Sequence, residues 1–338
     1  MPKPGALPVA LCVGLAFILS LFYQYGYPET NITYGMLERH KMMQESTEER
    51  FLRRRQRVRE TCQAGKNKED VSFSIKTRIY QFWNYNASIC TMGKVGSETW
   101  RSHARRVNEI QGHPMHDVRH RALFKKPWQE IVNYSKSVSR WITVRHPLTR
   151  LVSCYQDKFL NGSDFPVFRK ANLKEFLLPA LLSNGLVFKD QDSDVWKNFL
   201  VKKKESSEKF DPEDERARLS VTFTEFLKHV ANTFEEGRID RHWKTYGLLC
   251  SPCFFDYDYV VKTETQDEDL EFVFGRFGFP SDPHRAKKLR GDLATKMARD
   301  FRYYETVPLE VKQEIYNIYK ADMEMFGYDL PDDYWDTP

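Results

Sequence analysis

The sequence predicts an α/β domain, a mostly parallel central sheet flanked by helices, with a transmembrane helix at the N-terminus. Three observations carry this. Short apolar runs at 88–92, 141–144 and 257–261 read as buried strands. Helix candidates at 98–110, from Pro147 onward, 223–234, 267–277 and 309–326 alternate with them, which is the pattern of a layered α/β fold. The run from Ala6 to Tyr23 carries no charge and is just long enough to span a bilayer.

Taken in order, residues 1–5 form a short tail ahead of that run. Lys3 precedes 6–23, and the first base after it is Arg39, an asymmetry that leaves the N-terminus cytosolic and the rest of the chain luminal. No small-x-small cleavage pattern follows Ser20, so the segment reads as a signal-anchor rather than a cleaved signal peptide. Residues 24–70 read as a stem. Within it, the cluster Arg53, Arg54, Arg55, Arg57 and Arg59 reads as the solvated face of a helix with a thin apolar stripe, Phe51, Leu52 and Val58. The folded domain is expected over 71–330, with 331–338 as a C-terminal tail. Inside the domain, Pro147 opens a helix whose Leu148, Leu151, Val152, Tyr155 and Phe159 share one side. The polar stretch 158–217 reads as a surface insertion.

With 41% hydrophobic and 14% aromatic residues, the chain can bury a sizeable core. Its net charge of +5 is mild: it suits anionic ligands and is no signature of nucleic-acid binding. Asn31, Asn86, Asn133 and Asn161 each open an Asn-x-Ser/Thr triplet, which a luminal chain can use as glycan acceptors. Of the six cysteines, Cys12 lies in the anchor and five remain, so at least one is free or pairs with another chain. Nothing in the sequence sets the oligomeric state.

Two segments carry the chemistry. In Lys94-Val95-Gly96-Ser97-Glu98-Thr99-Trp100 a strand runs through a glycine-bearing loop into a helix, a junction that offers free backbone N–H groups and the positive helix end to a phosphate. Lys94 adds a charge; Ser97 and Thr99 add hydroxyls. The lysine precedes the glycine and no Gly-Lys-Ser/Thr ending follows, so this is not the loop of an ATPase or GTPase. The second segment, Arg145-His146-Pro147-Leu148-Thr149-Arg150-Leu151-Val152-Ser153, again delivers basic residues from a strand end to a helix start, where ligands collect in α/β sheets. Each segment alone is also readable as an ordinary strand–helix turn with solvated bases.

As a pair they resemble the 5′-phosphosulfate loop and 3′-phosphate site of sulfotransferases that use 3′-phosphoadenylyl sulfate (PAPS). Asp240-Arg241-His242-Trp243, Leu249-Cys250-Ser251-Pro252-Cys253 and Tyr257-Asp258-Tyr259-Val260-Val261-Lys262-Thr263-Glu264-Thr265 narrow the likeness. They are similar to the motif series of the Golgi carbohydrate sulfotransferases of the chondroitin 4-sulfotransferase and HNK-1 sulfotransferase type. The closing Phe326-Gly327-Tyr328 fits that family too. The resemblance spans about residues 60–329. It implies a P-loop-like sulfotransferase fold over 71–330 and transfer of a sulfuryl group from PAPS to a glycan hydroxyl, of chondroitin or dermatan type with the 4-O position favoured. It also implies a single-pass type II Golgi membrane protein with a luminal catalytic domain, and no metal. The alternative is an inactive, glycan-binding relative of the enzyme, from which loss of Lys94, Arg145 or Ser153 would be expected; all three are present.

By the same resemblance, Lys94 meets the oxygen bridging sulfate and phosphate. Ser97, Thr99 and the loop from Val95 through Glu98 to Trp100 hold the 5′-phosphate, and Arg145 and Ser153 hold the 3′-phosphate. A base histidine is expected between the two donor segments, which leaves His120 and His116, with His242 as the rival. Glu264 reads either as an orienting group or as a structural partner of Lys262 or Arg145. Three departures from the family pattern stand out: Gly93 replaces a proline, which suggests a more flexible loop entry; His146 replaces an acidic residue; and Cys154 replaces an alanine, which marks it as the unpaired thiol. Cys250 and Cys253 form a C-x-x-C. In an oxidising lumen this reads as a disulfide, either within the pair or from one of them to Cys62 or Cys90.

Overall fold

Four short strands bury side chains on both faces, which is why three of them show in the sequence as mainly apolar runs rather than as alternating patterns. They are β1 (Ile79–Phe82), β2 (Ala87–Cys90), β3 (Ser139–Val144) and β4 (Tyr259–Lys262), in that order across one sheet. The structure, a computed structural model, describes residues 46–64, 79–110, 137–160, 173–185, 221–280 and 293–336, with Glu130, Asn133 and Tyr134. β2, β3 and β4 run parallel, and β1 joins antiparallel to β2. The expected mostly parallel sheet is present, with β1 an addition. The register pairs Cys90 with Ile142 and Val144 with Lys262, so the three parallel strands deliver their following loops to one edge.

Helices fill both faces. Tyr80, Phe82, Ala87, Ile89, Trp141 and Val261 pack with Phe51 of α1 (Thr47–Gln63), with Trp100, Ala104 and Val107 of α2 (Ser97–Ile110), and with Leu270, Val273 and Phe274. Trp141 stacks on Phe82 with ring centroids 5.2 Å apart. Ile79, Cys90, Ile142, Val144 and Val260 turn to the other face. A third apolar cluster is helical. It joins α3 (Pro147–Lys158), α4 (Leu178–Ser183) and α5 (Phe223–Glu235), and it contains Leu148, Leu151, Val152, Tyr155 and Phe159, the side predicted from their spacing. The chain continues through α6 (Tyr246–Cys250), α7 (Pro252–Phe255), α8 (Gln266–Phe277), α9 (Leu293–Arg302) and α10 (Leu309–Phe326).

Three sequence expectations need correction. The arginines of 53–59 are not all a solvated face: Arg53, Arg57 and Arg59 are exposed, but Arg54 is buried and Arg55 half-buried. Helix α1 lies against the edge strand β4; Arg54 is 6% exposed, and its guanidinium donates to the Val260 carbonyl at 2.8 Å and to Asp269 at 2.7 Å. Arg55 and Arg59 pair with Asp256. Residues from Thr47 therefore belong to the folded unit. The stretch 158–217 is not wholly a surface insertion: Phe176, Leu177, Ala180 and Leu181 are core residues. Nor is 331–338 wholly a tail, because Tyr334 is 3% exposed and packs in the same cluster. The run 6–23 lies outside the described residues; among those described, no helix is long and apolar enough to cross a membrane.

The cysteines resolve into Cys62–Cys253 and Cys90–Cys250. The C-x-x-C thus splits, one sulfur to α1 and the other to the end of β2. Cys154 is free and fully buried, and burial pushes its thiol up to about 12. Since the thiolate is the reactive form, Cys154 is expected to resist a thiol reagent at pH 8 in the native protein and to label fully in denaturant. Rapid native labelling, read by intact mass, contradicts this.

Candidate active site

The sheet edge fixes the site. Two residues past β2, the chain enters a loop in which Lys94 (φ 71°) and Gly96 (φ 81°) both take left-handed backbone conformations. A lysine pays a steric penalty there, a strain that concentrates at functional sites. Val95 between them is fully buried, as is Trp100, whose ring sits among Trp141 and Phe274. These two side chains anchor the loop in the core and leave its backbone for ligands. The first backbone hydrogen bond of α2 runs from Trp100 N–H to Gly96 C=O at 3.1 Å. The N–H groups of Ser97, Glu98 and Thr99 therefore have no acceptor within the helix. Ser97 and Thr99 are half-buried, while Glu98 is exposed and pairs with Arg101 at 2.9 Å. Turns of alternating hand followed by a helix N-terminus form a concave set of N–H donors that suits a phosphate.

Arg145 follows β3 at the same edge. Its guanidinium donates to Thr149 Oγ1 at 3.0 Å, pairs with Asp300 at 2.6 Å and reaches the Lys94 carbonyl at 3.5 Å. The two basic segments therefore meet. Tyr246 braces the turn, accepting from Arg145 N–H at 2.8 Å and donating to its carbonyl at 3.1 Å. Burial raises the Asp300 carboxyl, against the opposing charge of Arg145. On α3, Ser153 is half-buried, and Asp157, one turn on, holds Lys94 Nζ at 3.3 Å and Lys158 Nζ at 3.2 Å. Burial works to raise the Asp157 carboxyl, but the two lysine charges outweigh it and hold it low. Arg150 is fully buried, donating to Met92 Sδ at 3.3 Å and the Lys244 carbonyl at 2.5 Å, so it ties the loop entry to the segment after His242.

His242 stands against that loop entry. A Cβ placed on Gly93 would come 3.1 Å from His242 Cδ2, the ring carbon bonded to Nε2. Gly93 thus serves close approach of a ring rather than flexibility. Asp240 Oδ1 accepts from both the backbone N–H (2.8 Å) and Nδ1 (2.7 Å) of His242. Burial works to raise the Asp240 carboxyl, but these His242 hydrogen bonds hold it below its ordinary value. With Nδ1 donating to a carboxylate, Nε2 is left as the basic nitrogen. His116 and His120 lie outside the described residues.

His146 is structural. Its Nδ1 accepts from Leu148 N–H at 3.2 Å, capping α3, and Nε2 donates to the Asp329 carbonyl at 3.1 Å. Burial pushes it down to about 4, so it stays neutral in the role an acidic cap would fill. Glu264, after β4, accepts from His146 N–H at 2.8 Å and from the Tyr328 hydroxyl at 3.0 Å, a bracket to the C-terminus. Lys262 meets the Gly327 carbonyl at 3.0 Å instead. Asn86 and Asn133 are exposed; Asn31 and Asn161 lie outside the described residues. The sequence reading missed Asp157 and Asp300, and it quoted Asp240 in a motif without giving it a role. Only Asp240 carried a usable signal, its position two residues before His242.

Residues 77–329 match the model of the Sulfotransferase family. Among curated proteins, the chain is 27% identical over 235 residues to carbohydrate sulfotransferase 12 of Mus musculus, covering 66% of this chain and 50% of that protein. It is 24% identical over 306 residues to carbohydrate sulfotransferase 9 of Homo sapiens (84% and 61%) and 28% identical over 207 residues to carbohydrate sulfotransferase 11 of Rattus norvegicus (60% and 50%). The chain thus spans between half and two thirds of the length of these relatives. No solved structure matches significantly. The family match takes in both basic segments, the Asp240–His242 pair and the whole sheet, and on that extent the chain belongs to the Sulfotransferase family.

Proposed function

We propose that the protein is a PAPS-dependent carbohydrate O-sulfotransferase acting on a glycan hydroxyl, of chondroitin or dermatan type with the 4-O position favoured. The observation that carries this reading is the meeting of Arg145 with the Lys94 loop at the parallel edge of the sheet. The fit to PAPS rests on the loop: unpaired N–H groups, a helix end and a lysine suit one phosphate, and a bidentate-capable arginine suits another. When bound, the donor supplies an activated sulfuryl group. Lys94 is assigned to the bridging oxygen, where leaving-group charge develops. Ser97, Thr99 and the backbone from Val95 to Thr99 hold the 5′-phosphate; Arg145 and Ser153 hold the 3′-phosphate.

Among His120, His116 and His242, we assign the base to His242, because it touches the loop and Asp240 orients it. His242 accepts the acceptor hydroxyl's proton at Nε2, and Asp240 stabilises the imidazolium that forms. His242→Ala is expected to lower kcat by roughly 10²–10⁴-fold, with affinity for 3′,5′-ADP unchanged. Near-normal turnover would return the role to His116 or His120. The uncharged run 6–23 and the sequons support a Golgi membrane protein with its catalytic domain in the lumen, and the two disulfides support an oxidising compartment. The test is transfer of labelled sulfate from PAPS to a panel of desulfated glycans, with disaccharide analysis of the product. Transfer to chondroitin or dermatan at the 4-position is expected. Folded protein that sulfates no member overturns the enzymatic reading.

A further inference from the structure

The N-termini of α2 and α8 come together at the sheet edge, and the contact is made by Gln266, the first residue of α8. Gln266 is 3% exposed. Its side-chain amide lies across Gly96: a Cβ built there would stand 3.5 Å from Nε2 and 3.7 Å from Oε1. Buried polar groups are almost always hydrogen-bonded. Gln266 Nε2 is buried and has no hydrogen-bond partner among the described residues. Two independent features thus converge on the loop: the free N–H groups at the start of a helix of 14 residues, and an orphaned amide N–H₂ beside the glycine that precedes it.

We infer that Gln266 is a further donor-binding residue whose amide nitrogen donates to an oxygen of the 5′-phosphate held by the loop. This rests on the PAPS reading above and extends it to a neutral side chain from a different strand–helix junction. An amide adds direction without charge. It complements Lys94 and leaves the leaving-group electrostatics to that residue. The unpaired state of Nε2 in the free protein is then a binding site kept open, with the strain relieved when an anion arrives.

The test uses titration calorimetry with two probes, 3′,5′-ADP and adenosine 3′-monophosphate, which lacks the 5′-phosphate, on the wild type and on Gln266→Leu, an apolar replacement of similar size. Gln266→Leu is expected to weaken 3′,5′-ADP roughly tenfold, the size of one hydrogen bond to a charged group, and to leave adenosine 3′-monophosphate unchanged. It is also expected to raise the melting temperature of the free protein, since the orphaned donor is gone, and to shrink the shift produced by 3′,5′-ADP. Gln266→Glu, which points a carboxylate at the phosphate, is expected to weaken 3′,5′-ADP further. Equal binding of 3′,5′-ADP by wild type and Gln266→Leu overturns the inference alone. Equal losses for both probes also overturn it, by showing a general disturbance. A wild type that binds neither nucleotide overturns the PAPS reading and this inference with it.

Discussion

Lys94→Ala is expected to reduce sulfuryl transfer by roughly 10²–10³-fold, the cost of removing one group aimed at developing charge. The expectation follows from placement. Lys94 sits in a left-handed conformation at the entry of a phosphate-type loop, half-buried, with its ammonium directed across to α3 and Asp157 rather than into solvent. Asp157 is shared with Lys158, so the carboxylate keeps a partner when Lys94 moves to a ligand. The alanine variant should remain folded, because the loop is anchored by Val95 and Trp100 and not by Lys94. Binding of intact PAPS should weaken much less than turnover, since the bridging oxygen carries full charge only as the sulfuryl group leaves, whereas 3′,5′-ADP, which already bears that charge, should lose affinity too. Lys94→Arg should rescue poorly, because a planar fork does not replace a compact ammonium. Labelled-sulfate transfer under saturating donor reads both. A Lys94→Ala protein with full activity removes the assigned role.

The legible part of this fold is the part whose logic is local. Residues 88–92 and 141–144 read as strands because burial on both faces leaves mostly apolar side chains; the first strand itself ends at Cys90. Helix 147–158 read correctly because Pro147 opens it and its apolar side keeps helical spacing. β1 escaped notice: it has four residues, and the buried Gln81 interrupts its apolar character. The two basic segments were readable as strand–loop–helix junctions, since a strand, a glycine and a base before a helix announce themselves in sequence. The carboxylates facing them were not. Asp157, Asp300 and Asp240 have the chemistry of any surface acid until the fold sets Lys94, Arg145 and His242 opposite them. Cysteine counting could show that one thiol is left over, but only three-dimensional proximity separates Cys250 from Cys253.

The largest misreading concerned the arginines of α1, and it leads to the largest expected loss of stability. β4 is an edge strand, so its outward backbone groups need partners or they invite pairing with another chain. Helix α1 supplies one of them from far away in sequence and helix α8 supplies the other. Arg54 donates to Val260 C=O, and Asp269 Oδ2 accepts from Lys262 N–H at 2.9 Å, from Arg54 at 2.7 Å and from Thr265 Oγ1 at 2.8 Å. Asp269 Oδ1 takes Arg50 at 3.1 Å. Asp269 is fully buried, and its carboxylate serves four donors. Asp269→Ala strands a buried guanidinium and an edge N–H together, and breaking such a pair from one side costs about 3–5 kcal/mol. At roughly 2–4 °C per kcal/mol for a domain above 150 residues, the melting temperature should fall by about 6–20 °C. Arg54→Met, which removes the charge and keeps apolar length, should cost less alone. In the double variant it should recover part of the Asp269→Ala loss, because the stranded charge is then absent. Thermal unfolding of the two singles and the double measures this coupling. Additive losses would mean that Arg54 and Asp269 act independently, and that the Cys62–Cys253 bridge, the Arg55 and Arg59 pairs with Asp256 and apolar packing hold α1 in place without their coupling.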